Sequence, residues 1–483
     1  MSAETSNKNV NQRKLTADIE ANISAMNREL PVDRCFDIIF RRFEVGGRKA
    51  CLYGIDGFVK DDTLLRILQG MMNLKPEALP KTSETFINKL IPYGEASVAT
   101  TIEDVTQSVF MGMSCIFVDG YPGCFTIDCR TYPARGVDEP MKEKVLRGSR
   151  DGFVETIVFN TALIRRRIRD VHLITEIVQL GDASKTDIAI CYMDDRVDHE
   201  LLNKITSRIK ATRVDALTMN QESLAECLFS GRWFNPFPKF KYTERPDTTA
   251  AHILEGNIVI LVDNSPSAMI LPSSVFDILE EADDYYFPPI TGTYLRLSRT
   301  LITFMAMLLT PLWLLLMQNT DWIPDWLSFI RIKEDINIPL IFQLLMLELA
   351  IDGLRLASLN TPSMLTTPLS VIAALVIGEF SVNSGWFNSE TMLYMAFVSL
   401  SNYTQSSFEL GYAIKFIRVI ILILTAVFNL WGFIAGVALM FGCIIFNKTI
   451  SGKSYIYPLI PFDWQELKRR MFRTRLKHSQ QSE

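Results

Sequence analysis

Three ionisable side chains within one apolar stretch carry the most chemical interest. Glu348, Asp352 and Arg355 stand at i, i+4 and i+7 between Ile338 and Leu356. On a helix they share a face, and Asp352 can neutralise Arg355 one turn further on. A charge at the centre of a bilayer costs roughly 2.5–3.5 kcal/mol on insertion scales, so it persists only where a partner or water compensates. Two readings stay open: a salt bridge between helices or subunits, and a water-filled pathway. A second pattern follows in Met364–Phe380. Leu369, Ile372, Val376 and Glu379 fall on one face, while Ser363, Thr367, Ser370, Ala374, Gly378 and Ser381 form a stripe of small residues. A small-residue stripe lets helices approach closely. An apolar constriction beside an acid is what a cation pore with a dewetting gate needs, if several copies surround an axis. Packing against lipid or a neighbouring helix accounts for the same pattern.

The remaining constellations are weaker. Arg165, Arg166, Arg167 and Arg169 crowd a predicted helix at Phe159–Ile168. They suit either an anion or, as such runs more often do, a solvated face or an interdomain salt bridge. Asp194-Asp195 and Asp283-Asp284 sit where helix caps and turns are expected. Gly452-Lys453-Ser454 ends like a phosphate loop, but Asn447 stands where its first glycine is required. No G-x-G-x-x-G, H-E-x-x-H or G-x-S-x-G occurs. The eight cysteines make no C-x-x-C pair and the four histidines are scattered, which argues against a zinc or iron–sulfur framework and against a disulfide scaffold. The expectation is a protein with no enzymatic activity, no cofactor and no metal site, whose thiols fit a reducing compartment.

The elements that must position these residues fall into two solvents. Residues 301–446 hold 14 charged side chains in 146, against 89 in the other 337. Such a contrast marks a water-soluble part joined to a membrane part. The polar start, Met1-Ser2-Ala3-Glu4, predicts no secretory signal peptide. Residues 1–32 read as a polar N-terminal segment and 33–135 as a first α/β subdomain. Its apolar run Arg48–Gly57 ends in Gly-x-Asp-Gly, as a strand entering a turn would, and Ser114–Gly123 followed by Cys124–Ile127 reads as strand, turn, strand. Residues 140–290 read as a second α/β subdomain. It contains the strand Asp187–Met193, the amphipathic helix His199–Ile209, and a hairpin over Asn257–Val262 and Ala268–Leu271. The proline-punctuated stretch Asn235–Asp247 is expected to be extended. No internal repeat stands out.

Residues 295–450 read as an all-α polytopic membrane domain, and 451–483 as a basic cytosolic tail. Leu301–Met317 is uncharged and contains Pro311, which should kink it. Trp322 and Trp326 are placed as interface anchors. Thr391–Leu400 is too short to span alone, and Ile420–Phe446 is either one long tilted helix or part of a tight hairpin. Arg296 and Arg299 precede the first span, and residues 447–483 hold eight Lys or Arg against three acids. Both termini are therefore expected in the cytosol, with an even number of crossings, four rather than six.

The chain resembles the GerA family of spore germinant receptors, in its A-subunit branch. The resemblance rests on Val145-Leu146-Arg147-Gly148, on Asn160 with Leu163-Ile164-Arg165 and Arg167, on Asn235-Pro236-Phe237-Pro238 with Glu244-Arg245-Pro246-Asp247, and on Gly256–Pro266, Asp283-Asp284-Tyr285-Tyr286 and Val376-Ile377-Gly378-Glu379. Tyr53-Gly54-Ile55-Asp56-Gly57 and Phe287-Pro288-Pro289 look closer to a paralogous accessory branch. The resemblance implies a cytosolic region of two α/β subdomains followed by a helical region in the inner membrane of the spore. It implies homo-oligomers, pentamers, that conduct cations during germination alongside other spore membrane germination proteins; the formal net charge of −5 argues against a nucleic-acid partner. Where receptor members often have Gln, this chain has Glu379. The alternative to an oligomeric cation-release channel is a non-conducting scaffold for germination proteins; a secondary transporter would need an internal repeat.

Overall fold

The computed structural model describes residues 13–91, 94–131, 143–229, 235–362, 378–405, 407–447, 449–452 and 454–473. They form two compact units. One is drawn from residues up to Lys144 with Ser149–Ser230 and Tyr242–Pro272; the other is built on Ser273–Glu483 with Val145–Gly148 and Gly231–Lys241.

In the first unit, α1 (Ile19–Glu29) precedes a hairpin of β1 (Ile38–Val45) and β2 (Arg48–Ile55). Its turn, Gly46-Gly47, has both φ positive, which a two-residue hairpin loop of type I′ requires. Two helices follow, α2 (Asp61–Met72) and α3 (Ser83–Leu90), then the short strand β3 (Ala96–Ala99), α4 (Ile102–Phe110), and a hairpin of β4 (Ser114–Val118) and β5 (Cys124–Ile127). The sheet order is β1-β2-β4-β5-β3. After α5 (Ile157–Arg167) the plan repeats. The hairpin β6 (Leu173–Leu180) and β7 (Thr186–Met193) leads to α6 (His199–Ala211), α7 (Asn220–Leu228), the short strand β8 (Lys241–Thr243), α8 (Pro246–Leu254), and the hairpin β9 (Ile258–Val262) and β10 (Ala268–Leu271). The order is β6-β7-β9-β10-β8, so the two sheets have the same topology. The proline-punctuated stretch is extended where β8 forms, and Pro246 then opens α8 at its first turn.

The two sheets meet at a buried ion pair. Arg165 of α5 is fully buried and grips Asp37 through Nε (2.9 Å) and a terminal nitrogen (3.1 Å). Its other terminal nitrogen donates to the Leu173 carbonyl at 3.0 Å. One member of the arginine cluster is thus a buried strut between the two sheets of one unit and no anion site, and Arg167 is taken by Asp151 at 2.6 Å. Nearby, Arg34 forks onto Asp194 at 2.7 and 3.0 Å and holds that carboxyl below the usual carboxylate range. The folded value lies below the unfolded one, so this pair adds stability above about pH 4 and loses it as the pH falls further. Both side chains are substantially exposed, so Arg34→Ala should cost no more than about 1 kcal/mol at neutral pH. Denaturant titrations of the full chain should show that gap closing in acid.

The second unit is helical. Ser274 and Asp277 form a reciprocal capping box at α9 (Val275–Leu279), and α10 (Asp283–Tyr286) follows. Then come α11 (Pro289–Gln318), α12 (Leu340–Asn360), α13 (Ser389–Tyr403), α14 (Phe408–Ile445) and α15 (Trp464–Met471). By length and composition α11 and α14 are apolar enough to cross a membrane. The long last stretch is a hairpin. Asn429 breaks α14 with φ 52° and ψ −131°, and the two limbs fold back on each other. A Cβ on Gly432 would lie 1.8 Å from the Leu424 carbonyl oxygen, and one on Gly436 would lie 3.2 Å from the Cβ of Ile421. Asn319, at the end of α11, trades amide hydrogen bonds of 2.7 and 3.2 Å with Asn429 at the hairpin tip.

This unit is apolar outside. Phe304, Leu349, Phe397, Phe416 and Trp431 are each at least half exposed, whereas Glu348 and Arg418 are 4% and 0% exposed. Water as solvent selects the reverse arrangement.

Candidate functional site

The charged residues of α12 find their partners on α14. Arg418 lies on the first limb of the hairpin, fully buried. Its Nε and one terminal nitrogen donate to the two Glu348 carboxylate oxygens at 2.6 and 3.0 Å, a bidentate clasp. The other terminal nitrogen donates to the Ala306 carbonyl of α11 at 2.9 Å. Pro311, which has no N–H to give Met307, lies one residue beyond the helical donor of that carbonyl, Thr310, inside an α11 that continues to Gln318. One turn before Arg418, Lys415 pairs with Asp352 and donates to the Glu348 carbonyl at 3.1 Å.

Asp352 and Arg355 therefore do not neutralise each other. Arg355 instead lies over the rings of Phe408 and Tyr412, at 4.6 and 4.9 Å from their centroids. Helix geometry explains the change. Lys415 and Arg418, three residues apart, meet Glu348 and Asp352, four apart, across a helix–helix contact. Asp352, Arg355 and Lys415 line a narrow cleft with Asn402, Tyr403 and Tyr412. The Asn402 Oδ1 is buried and has no hydrogen-bond partner among the described residues. The cluster is a polar seam in an apolar helical unit.

Of the face expected to line a pore, Leu369, Ile372 and Val376 lie outside the described residues. Glu379 is described and exposed. Trp322 and Trp326 are 50% and 76% exposed on short 3-10 turns. Among the described residues no three His, Cys, Asp or Glu side chains gather as metal ligands.

A second charged assembly forms where α11 begins. Arg296 pairs with Glu280, and Arg299 donates to both carboxylate oxygens of the fully buried Asp284 (3.0 and 3.2 Å) and to Glu281 (2.6 Å). Arg470 of α15 pairs with Asp277. Positions read from sequence as orientation signals and helix-start acids are thus one ionic collar. The sequence signal for it was the pair of arginines three apart on one helix face.

The family described as Bacillus/Clostridium GerA spore germination protein matches residues 25–483, and the chain belongs to that family. Stage V sporulation protein AF of Bacillus subtilis (strain 168) is 35% identical over 440 residues, spanning 90% of this chain and 89% of that protein. The uncharacterized membrane protein YfkQ of the same strain is 27% identical over 461 residues, 94% of this chain and 89% of its own length. Among solved structures, the N-terminal domain of the A subunit of the Bacillus megaterium spore germinant receptor GerK3 is similar at 25% identity and a TM-score of 0.41, covering 54% of this chain and 97% of that one.

Proposed function

We propose that the chain is a multi-pass subunit of a spore germination complex in the spore inner membrane, and that copies of it form a non-enzymatic cation-release channel acting during germination. The observation that carries this reading is the polar seam: Glu348 pairs with Arg418 and Asp352 with Lys415 inside a unit whose outer surface is apolar, and Asp352 and Lys415 line a cleft with Asn402, whose side-chain Oδ1 has no partner among the described residues. In lipid, such groups are retained where a partner, water or a transported ion compensates them. Glu379 is an exposed acid, and the sequence pattern that ends on it, Leu369, Ile372 and Val376, is the one read above as an apolar constriction. Taken across the membrane twice by the hairpin at Asn429, the last apolar stretch makes five passes with α11, α12 and the span expected from sequence at Met364–Phe380; an even total with both termini cytosolic then needs α13 to cross as well, six rather than four. A ring of copies, five by family resemblance, and other spore membrane germination proteins would complete the pathway.

Potassium efflux and membrane potential test it, in cells expressing the chain with Glu379→Gln, Val376→Ala or Asp352→Asn. A channel predicts a severalfold change in flux for at least one variant that still reaches the membrane. The complete pairing of Glu348 with Arg418 and of Asp352 with Lys415 favours a second reading, a non-conducting scaffold. Unaltered flux in every inserted variant would select it.

A further inference from the structure

The last described helix, α15, presents an unusual face. Trp464, Gln465, Lys468, Arg469 and Phe472 are all exposed and follow i, i+1, i+4, i+5, i+8 spacing, so they share one side. The other side is docked: Arg470 on Asp277, its carbonyl accepting from Arg296 at 3.0 Å, and the Arg473 N–H donating to the Thr293 hydroxyl at 3.1 Å. A helix that used its exposed face only to meet water would not place Trp464 (63% exposed) and Phe472 (46%) at its two ends. The segment leading into it adds Leu459, Ile460 and Phe462, the last 66% exposed and 6.3 Å from the Trp464 ring.

Its position along α11 fits the same occupant. α15 is tied to α11 at Thr293 and Arg296, and the charge-free stretch of α11 begins at Leu301. Five residues of helix rise about 7 Å. A headgroup layer is about 5–7 Å deep. At that depth, indole and phenyl rings partition into the interface while Lys and Arg meet anionic lipid phosphates.

We infer that the Leu459–Phe472 segment is a membrane-surface anchor, whose Trp464, Lys468, Arg469 and Phe472 face docks on anionic phospholipid headgroups. It rests on the multi-pass reading proposed above. The anchor bears on the collar, because Arg470 and Arg473 on its inner side hold α9 and the first turns of α11. Lipid composition would thereby act on the helix that receives Arg418 at Ala306.

The test uses the full chain carrying Trp464→Cys, with Cys227→Ser and Cys443→Ser to remove the partly exposed native thiols. It is labelled with an environment-sensitive fluorophore and reconstituted in vesicles of phosphatidylcholine with or without phosphatidylglycerol. The expected result is blue-shifted emission, quenched by spin-labelled lipid, in the anionic vesicles. Lys468→Gln with Arg469→Gln should reduce the ratio of lipid-contacting to water-exposed label by about fivefold for each cation removed. Emission typical of water, quenched by aqueous iodide in both vesicle types, overturns the inference. So does lipid contact that ignores both vesicle charge and the double substitution, or a cross-link from position 464 to a second copy. A chain that alkaline carbonate strips from the vesicles refutes the membrane reading itself; one that stays inserted with a water-exposed label refutes only the anchor.

Discussion

Arg418→Leu is expected to cost the helical unit about 3–5 kcal/mol, because it strands the Glu348 carboxylate without a partner in an apolar interior. For a unit of this size that corresponds to a drop of roughly 6–20 °C in Tm, measurable by thermal scanning of the purified chain in detergent. Leaving a buried charge alone is the expensive step. Removing both partners is far cheaper, since two buried ions give up a large desolvation penalty when apolar side chains replace them. The double variant Glu348→Leu/Arg418→Leu should therefore recover most of the loss. Arg418→Lys should fall between: it keeps the charge but not the fork that reaches both carboxylate oxygens and the Ala306 carbonyl together. A double variant as unstable as Arg418→Leu alone would mean that the arginine acts through packing rather than pairing. Stability and flux separate here. If the seam serves conduction, the double variant melts near the parent temperature and still fails to pass ions.

Local patterns were legible in the sequence and long-range partners were not. The strand Asp187–Met193 and helix His199–Ile209 announce themselves through period and caps, and the observed elements, Thr186–Met193 and His199–Ala211, differ by one or two residues at their ends. The duplicated topology left one local trace. Ile116-Phe117-Val118-Asp119-Gly120-Tyr121-Pro122 and Ile260-Leu261-Val262-Asp263-Asn264-Ser265-Pro266 are the same strand and turn, and Gly120 and Asn264 both carry positive φ. Seven residues are too few to mark a repeat when the flanking helices share only their apolar period. The charges of α12 show the limit most clearly. Spacing along one helix pairs Asp352 with Arg355, but that interaction is worth only tenths of a kcal/mol in an exposed helix. A second helix offering Lys415 and Arg418 in a buried contact outweighs it, and those residues stand 63 and 70 positions away. The hairpin was hidden for another reason. Its turn contains neither proline nor glycine, and asparagine, the residue after glycine best suited to positive φ, does the bending inside an otherwise unbroken apolar run.

That hairpin supports the sharpest geometric prediction. In the folded limbs, a Cβ on Gly436 lies 3.2 Å from the Cβ of Ile421, close to the separation that a disulfide spans. Ile421→Cys with Gly436→Cys, in a Cys443→Ser background, should therefore oxidise readily within one chain. In a single continuous helix the same positions would stand about 22 Å apart and could not bond. Gly432→Val should abolish the cross-link. Its Cβ would fall 1.8 Å from the Leu424 carbonyl oxygen and 2.4 Å from the carbonyl carbon, and backbone cannot swing aside as a side chain can. The expected cost lies at or above the upper end of the about 1–3 kcal/mol typical of overpacking, because relief requires the limbs to part. Parting them also pulls Asn429 away from Asn319, so the variant should loosen the far end of α11 as well as the hairpin. Gel mobility of the oxidised and reduced chain reads the cross-link directly. Efficient oxidation that persists with valine at position 432 would show that the limbs meet in some other register.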